Sequence, residues 1–165
     1  SSAASDVYKR QVKEGERNTN FYILKKGIWR AYYMIDGTES SLWFAGTGEI
    51  AFSSWGYANN EISQVNIESV NESTAYCIAK PDLEELFNSS IELSNFGRKI
   101  FEQEILFIDS YTLSYGTPSA TERYLTLMEE NPELLQYVPL KHLASYLYIT
   151  PQSLSRIRAG LKRRR

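Results

Sequence analysis

The hydrophobic period of this 165-residue chain changes once, at Pro81. Before it come short runs rich in β-branched and aromatic residues: Phe21-Tyr22-Ile23-Leu24, Ile28 to Ile35, Leu42-Trp43-Phe44, Val65-Asn66-Ile67 and Thr74 to Ile78. Turn signals separate them. Asp36-Gly37 predicts a two-residue type I′ hairpin, whose central positions both need positive φ. Lys26-Gly27 and Gly46-Thr47-Gly48 punctuate the neighbouring strands. After Pro81 the apolar residues recur every three or four positions, the period of a helix. Strands first and helices afterwards predict an α+β fold, an antiparallel sandwich or roll followed by helices. Residues 1–11, SSAASDVYKRQ, show no periodicity and read as a chain end without structure.

Pro81 suits the first turn of a helix, with Leu83, Leu86 and Phe87 at helical spacing. From 92 to 113, Leu93, Phe96, Ile100, Phe107 and Tyr111 form a stripe that Ile105 and Ile108 widen. So broad an apolar face must be covered. Either its own sheet or a partner helix in a homodimer does this, and the dimer is the reading adopted for a chain this small. Gly116-Thr117-Pro118-Ser119 breaks the pattern, and helix resumes from Thr121 to Met128, ending before Asn131-Pro132. The expected domains are a strand-rich domain at 12–90, a dimerisation helix at 91–115 and a C-terminal helical domain at 117–165.

Composition narrows the function. One cysteine, Cys77, excludes an internal disulfide framework, and one histidine, His142, leaves little for a zinc site or a His-based triad. No paired carboxylates or nucleophile–base set favours an enzyme. No apolar run approaches the ~20 residues that span a bilayer, so no membrane partner is expected, and the lone Cys77 fits a reducing cytoplasm. The formal net charge of −2 hides a split. Residues 134–165 contain no acid and seven bases: Lys141, Arg156, Arg158, Lys162, Arg163, Arg164 and Arg165. A basic module on an acidic body points to a polyanionic partner, although the last four residues alone also fit a solvated tail.

The segment from Val138 to Arg158 is the most specific. Pro139 suits a helix start, and Leu140, Leu143, Ala144 and Leu147 share one face. Tyr148-Ile149 makes a turn, Thr150 caps a second helix with Pro151 at its first position, and Leu154, Ile157 and Leu161 form that helix's buried side. This is the helix-turn-helix pattern. Opposite the apolar side lie Gln152, Arg156, Ala159 and Arg163, flanked by Ser153 and Ser155, with Arg158 and Lys162 nearer the edges. Arginine can bond guanine in two-pronged fashion and glutamine can do so with adenine, while the flanking bases suit phosphates. The DNA-binding candidates are Thr150, Gln152, Ser153, Ser155, Arg156, Arg158, Lys162 and Arg163.

Roll, long helix and helix-turn-helix in this order resemble the Crp–Fnr family, the relatives of the cyclic-AMP receptor protein, over roughly residues 12–165. Its markers are Glu14-Gly15-Glu16, Phe21 to Gly27, the Asp36-Gly37 turn, Gly46-Thr47-Gly48-Glu49, Leu143 to Leu147 and Thr150 to Arg158. The resemblance implies a jelly-roll effector domain and a homodimer through Leu93, Phe96, Ile100, Phe107 and Tyr111. It also implies promoter DNA as partner, with RNA polymerase and an unknown small-molecule effector as further partners.

The chain departs from that family in several places. Its phosphate-holding Gly-Glu and Arg-Ser/Thr pairs fall here on Phe52-Ser53 and near Ser63-Gln64, and no Arg or Lys lies between Arg30 and Lys80. Cyclic AMP would lack a cationic partner, so gating by it is not expected. An iron–sulfur cluster needs about four cysteines, and Cys77 and His142 read as plain strand or surface residues rather than haem ligands. No cofactor is expected. Tyr148 stands where the family usually has glycine, which predicts either a strained left-handed tyrosine or a turn that deviates slightly. The start of the roll reads as missing or replaced by residues 1–11, and no wing hairpin follows Lys162. The expected function is a sequence-specific transcription regulator, not an enzyme. The alternative is a roll that senses an apolar or aromatic metabolite through Phe21, Tyr22, Trp29, Tyr32 and their neighbours, with DNA binding weak or lost.

Overall fold

A computed structural model describes residues 2–5, 9–116 and 118–163. The chain divides into two compact units, one comprising residues 1–80 with 133–165, the other residues 81–132.

The first unit contains two four-stranded antiparallel sheets. One has the order β1 (Ser2–Ser5), β8 (Ser73–Ile78), β3 (Phe21–Lys26), β6 (Ile50–Phe52). The other has the order β2 (Arg10–Val12), β7 (Asn66–Ser69), β4 (Trp29–Ile35), β5 (Thr38–Ala45). Val12, Tyr22, Leu24, Trp29, Ala31, Ala45, Ala51, Val65, Ile67 and Ala75 form one buried cluster. Asp36 (φ 48°) and Gly37 (φ 76°) make the expected tight turn between β4 and β5. Gly27 (φ 99°) cannot carry a side chain, because a Cβ there would come within 2.4 Å of Ser73 Cβ.

Residues 1–11 correct the sequence reading. Ser2–Ser5 pairs with β8, and Arg10 pairs with Glu68 of β7. A strand of small residues carries no hydrophobic alternation, so its partner rather than its own pattern decides its conformation.

The second sheet is buried on both faces. Trp29 and Ala31 point to the core, whereas Arg30 and Tyr32 alternate to the outside and are also buried. The pairing shifts by one residue between Ala31↔Trp43 and Tyr32↔Ser41. This bulge turns Ser41 and Glu39 to the same side as Arg30 and Phe44. Helix α6 (Leu140–Tyr146) covers that outer face. Two short helices had no clear sequence signal: α1 (Ser54–Asn59) and α5 (Pro132–Tyr137). The first unit ends in α7 (Pro151–Lys162).

The second unit is helical: α2 (Lys80–Ser89, its first residue in the other unit), α3 (Ile91–Gly116) and α4 (Ala120–Glu130). Ser119 caps α4 in a reciprocal box, its hydroxyl accepting from the Glu122 amide while Glu122 accepts from the Ser119 amide at 2.7 Å. These two bonds hold the Glu122 carboxyl below its ordinary pKa. Along α3, Phe96, Ile105, Leu106 and Ile108 are each about 60% exposed and Phe107 44%.

Candidate functional site

Three places bear on function. The first is the place where the sequence reading puts the two phosphate-holding pairs, Phe52-Ser53 and Ser63-Gln64. Ser53 and Ser63, ten residues apart, meet in the fold: Ser53 Oγ donates to Ser63 Oγ at 3.0 Å, and Ser63 Oγ donates to the Val65 carbonyl at 2.8 Å. Both are 1% exposed. Ser53 also caps α1. The chain approaches itself closely here, since a Cβ on Gly56 would lie 1.9 Å from the Asn18 carbonyl oxygen. Two hydroxyls bonded to each other offer an anion no charge.

The aromatic residues nearby are packed on one another. Phe21 stacks on Phe52 at 5.2 Å, Tyr57 meets both, and Tyr22 lies 5.2 Å from Trp29. Lys80 closes this group, its Nζ 5.3 Å from the Tyr57 ring and donating to the Tyr57 carbonyl.

The second place is the pair α6 and α7. The turn between them holds Tyr148 at φ 55°, so of the two expected outcomes the strained left-handed tyrosine is the one observed. The Leu147 and Ile149 amides donate back to α6 carbonyls and tie the turn down. Thr150 caps α7 through the Ser153 amide, with Pro151 at the first helical position. Leu143, Ala144, Leu147 and Leu154 are fully buried, and Ile157 and Leu161 half-buried. Gln152, Ser155, Arg156, Ala159, Lys162 and Arg163 are exposed, while Ser153 and Arg158 are half-buried. Arg156 leans back to Ser153 Oγ at 3.4 Å. Arg164 and Arg165 lie outside the described residues.

The third place had not been picked out in the sequence. Arg30, 1% exposed, makes four hydrogen-bond contacts through its guanidinium. Nε lies 2.8 Å and Nη2 2.7 Å from Glu68 Oε1; Nη2 also reaches Glu39 Oε2 at 2.6 Å. Nη1 donates to Ser41 Oγ at 3.4 Å and contacts His142 Nδ1 at 2.6 Å. The guanidinium also stacks 4.2 Å over the Tyr32 ring. Beside it Ser41 N–H donates to Ser145 Oγ at 3.1 Å, and Phe44 meets Tyr146 edge-on at 5.1 Å. A cleft of about 280 Å³ opens onto these groups, walled by Arg10, Arg30, Tyr32, Glu39, Glu68, Lys141 and His142.

His142 is therefore neither a strand nor a surface residue, since it is 2% exposed. Burial, then Arg30 and Lys141, push its pKa down to about 4, against the opposing pull of Glu39. Burial alone would raise Glu39, but its hydrogen bond to Arg30 and the positive charges of Arg30 and Lys141 hold it below the ordinary carboxylate value. The available sequence signal was a charged residue at the centre of Ile28-Trp29-Arg30-Ala31-Tyr32, where an outward-facing arginine would be solvated unless something covered it. Its partners lie 9 to 112 residues away. Among the described residues no group of three or more His, Cys, Asp or Glu could hold a metal ion.

Residues 11–90 match the family model of the cyclic nucleotide-binding domain. These residues have the cyclic nucleotide-binding fold, in a chain with the Crp–Fnr fold. FixK2 from Bradyrhizobium japonicum superposes with TM-score 0.84 at 17% identity, over 99% of this chain and 85% of FixK2. A CRP-family transcriptional regulator from Thermus thermophilus gives 0.78 at 17% identity, over 98% of this chain and 85% of its own. The c-di-GMP-responsive global regulator CLP from Xanthomonas campestris gives 0.75 at 15%, over 98% and 86%. No curated protein matches the sequence. Among the described residues no helix is long and apolar enough to cross a membrane.

Proposed function

We propose that this Crp–Fnr-fold chain is a sequence-specific DNA-binding transcription regulator, not an enzyme, acting in the cytoplasm without gating by cyclic AMP. The exposed face of α7 carries the reading: Gln152, Ser155, Arg156, Lys162 and Arg163 project together from a helix anchored by buried Leu154. No acid occurs from 134 to 165 to repel phosphates. The fold shared with FixK2 and the Thermus regulator supports the same class.

In this reading 117–165 is the DNA-binding region, 12–90 the effector-type roll and 91–115 the dimerisation helix. Gln152 and Arg156 read base edges, with Thr150, Ser153, Ser155, Arg158, Lys162 and Arg163 toward the backbone. The exposed apolar side chains of α3, among them Leu93, Phe96 and Phe107, fit a second copy, with Ile100 and Tyr111 half-buried on the same helix. RNA polymerase and a small effector are further partners in this reading. A roll that senses an aromatic metabolite draws less support, because Phe21, Tyr22, Trp29, Phe52 and Tyr57 already pack on one another.

Fluorescence anisotropy with a selected duplex and a random one, at several salt concentrations, tests the proposal. Arg156→Ala should weaken binding to the selected duplex by ~1–3 kcal/mol and leave random binding nearly unchanged. Lys162→Ala should weaken both alike and reduce the salt slope by roughly one. Equal loss on both duplexes for Arg156→Ala would make Arg156 a backbone contact. In sedimentation, Ile100→Asp should turn a dimer into a monomer.

A further inference from the structure

Helix α6 meets the outer face of the second sheet through one contact whose chemistry permits a single protonation state. A guanidinium has no lone pair to offer, so at 2.6 Å from Arg30 Nη1 the His142 Nδ1 must be the acceptor. The imidazole is then neutral, with its proton on Nε2. A proton on Nδ1 would set two donors and two positive charges against each other in a buried place. We propose that Arg30 and His142 form a proton-sensitive latch that fixes α6, and with it α7, on the roll when His142 is neutral and releases them when it is protonated.

The surroundings support one direction of response. The groups lining the cleft with His142 are Arg30 and Tyr32 from β4, Glu39 from β5, Glu68 from β7, Arg10 from β2 and Lys141 from α6 itself; α7 contributes none. Glu68 is in contact with Arg30 at 2.7 Å, so its charge is engaged. Glu39 is the carboxylate that pulls on the ring, and its Oε2 lies 3.7 Å from Nδ1, beyond a hydrogen bond. It is itself held by Arg30 at 2.6 Å. A protonated ring would therefore exchange a short bond to Arg30 for a longer attraction to a carboxylate already in use.

The sign follows from linkage. The ring's pKa is about 4 when docked and close to its ordinary 6.5 when released. The released state thus binds more protons between these values. Docking is complete in strength above pH 6.5 and weakens as pH falls toward 4. Between pH 7.5 and 5 the docking equilibrium should fall roughly 30-fold. This concerns docking alone; only its consequence for DNA binding rests on the proposed function, and the test contains no DNA.

The Ser41 amide reports the latch, because it donates across the junction to Ser145 Oγ. Hydrogen exchange by NMR on the full chain should show Ser41 protection falling about 30-fold from pH 7.5 to 5, while the core amide of Ile67 keeps its protection. His142→Gln offers Arg30 an acceptor that does not titrate, and its Ser41 protection should not change over this range. Wild-type protection that stays constant, or an equal fall in His142→Gln, would overturn the latch. Where His142→Gln does not fold, the nitrogen shifts of the wild-type His142 ring decide. A neutral Nε2–H form persisting to pH 5 in the protected population is expected, and ordinary titration near pH 6.5 with Ser41 still protected would overturn it.

Discussion

The roll presents two buried polar centres that differ in the one property an anion needs. At Ser53 and Ser63 two hydroxyls satisfy each other with no charge present. At Arg30 a full positive charge is buried, but two carboxylates, a hydroxyl and an imidazole already surround it. The first centre is built from neutral hydroxyls; the second has a buried cation, on the outer face of the other sheet, held by protein groups. A buried charge is tolerated only when paired, whereas a hydroxyl needs only one or two hydrogen bonds. The two centres therefore play opposite parts. One fills space inside the roll, and the other ties the roll to the C-terminal helices.

Removing the charge should break this contrast most severely. Arg30→Leu leaves Glu68, 5% exposed, without its cation, and should cost about 3–5 kcal/mol in urea unfolding. A loss below about 1 kcal/mol would mean that Glu68 finds water or Arg10 instead, and that the junction is not held by this pair. The serine centre should respond less. Ser63→Ala removes the bonds to Ser53 and to the Val65 backbone and should cost about 1–3 kcal/mol. The smallest effect expected is none: calorimetry with millimolar cyclic AMP should give no saturable heat. A micromolar dissociation constant would show that the roll supplies a counter-charge from elsewhere and that the neutral serines are no bar to phosphate.

The local elements were legible because their causes are local. Asp36-Gly37 fixed a type I′ turn through the positive φ that both positions need, and Thr150-Pro151 fixed the start of α7 through a cap oxygen and a preset φ. Tyr148 was placed in the left-handed region by the demands of the turn, against its own preference. The amphipathic pattern separated buried Leu154 from exposed Gln152 and Arg156 on α7.

Where the cause lay in distant chain, the sequence was silent. Ser2–Ser5 has no pattern of its own and is a strand because β8 offers it an edge. A one-residue bulge in β5 brings Ser41 and Glu39 to the side of Arg30, and helix α6 buries that side. Only this assembly turns His142 from an unremarked helical residue into the acceptor of a buried guanidinium, 112 residues away in the chain. By itself the sequence determined the strand-then-helix order, the turns and the two faces of α7, since periodicity and φ preference act between near neighbours. Which face of the sheet meets which helix, and hence which charges are buried together, was decided by tertiary structure, because desolvation depends on what covers a group rather than on what precedes it in the chain.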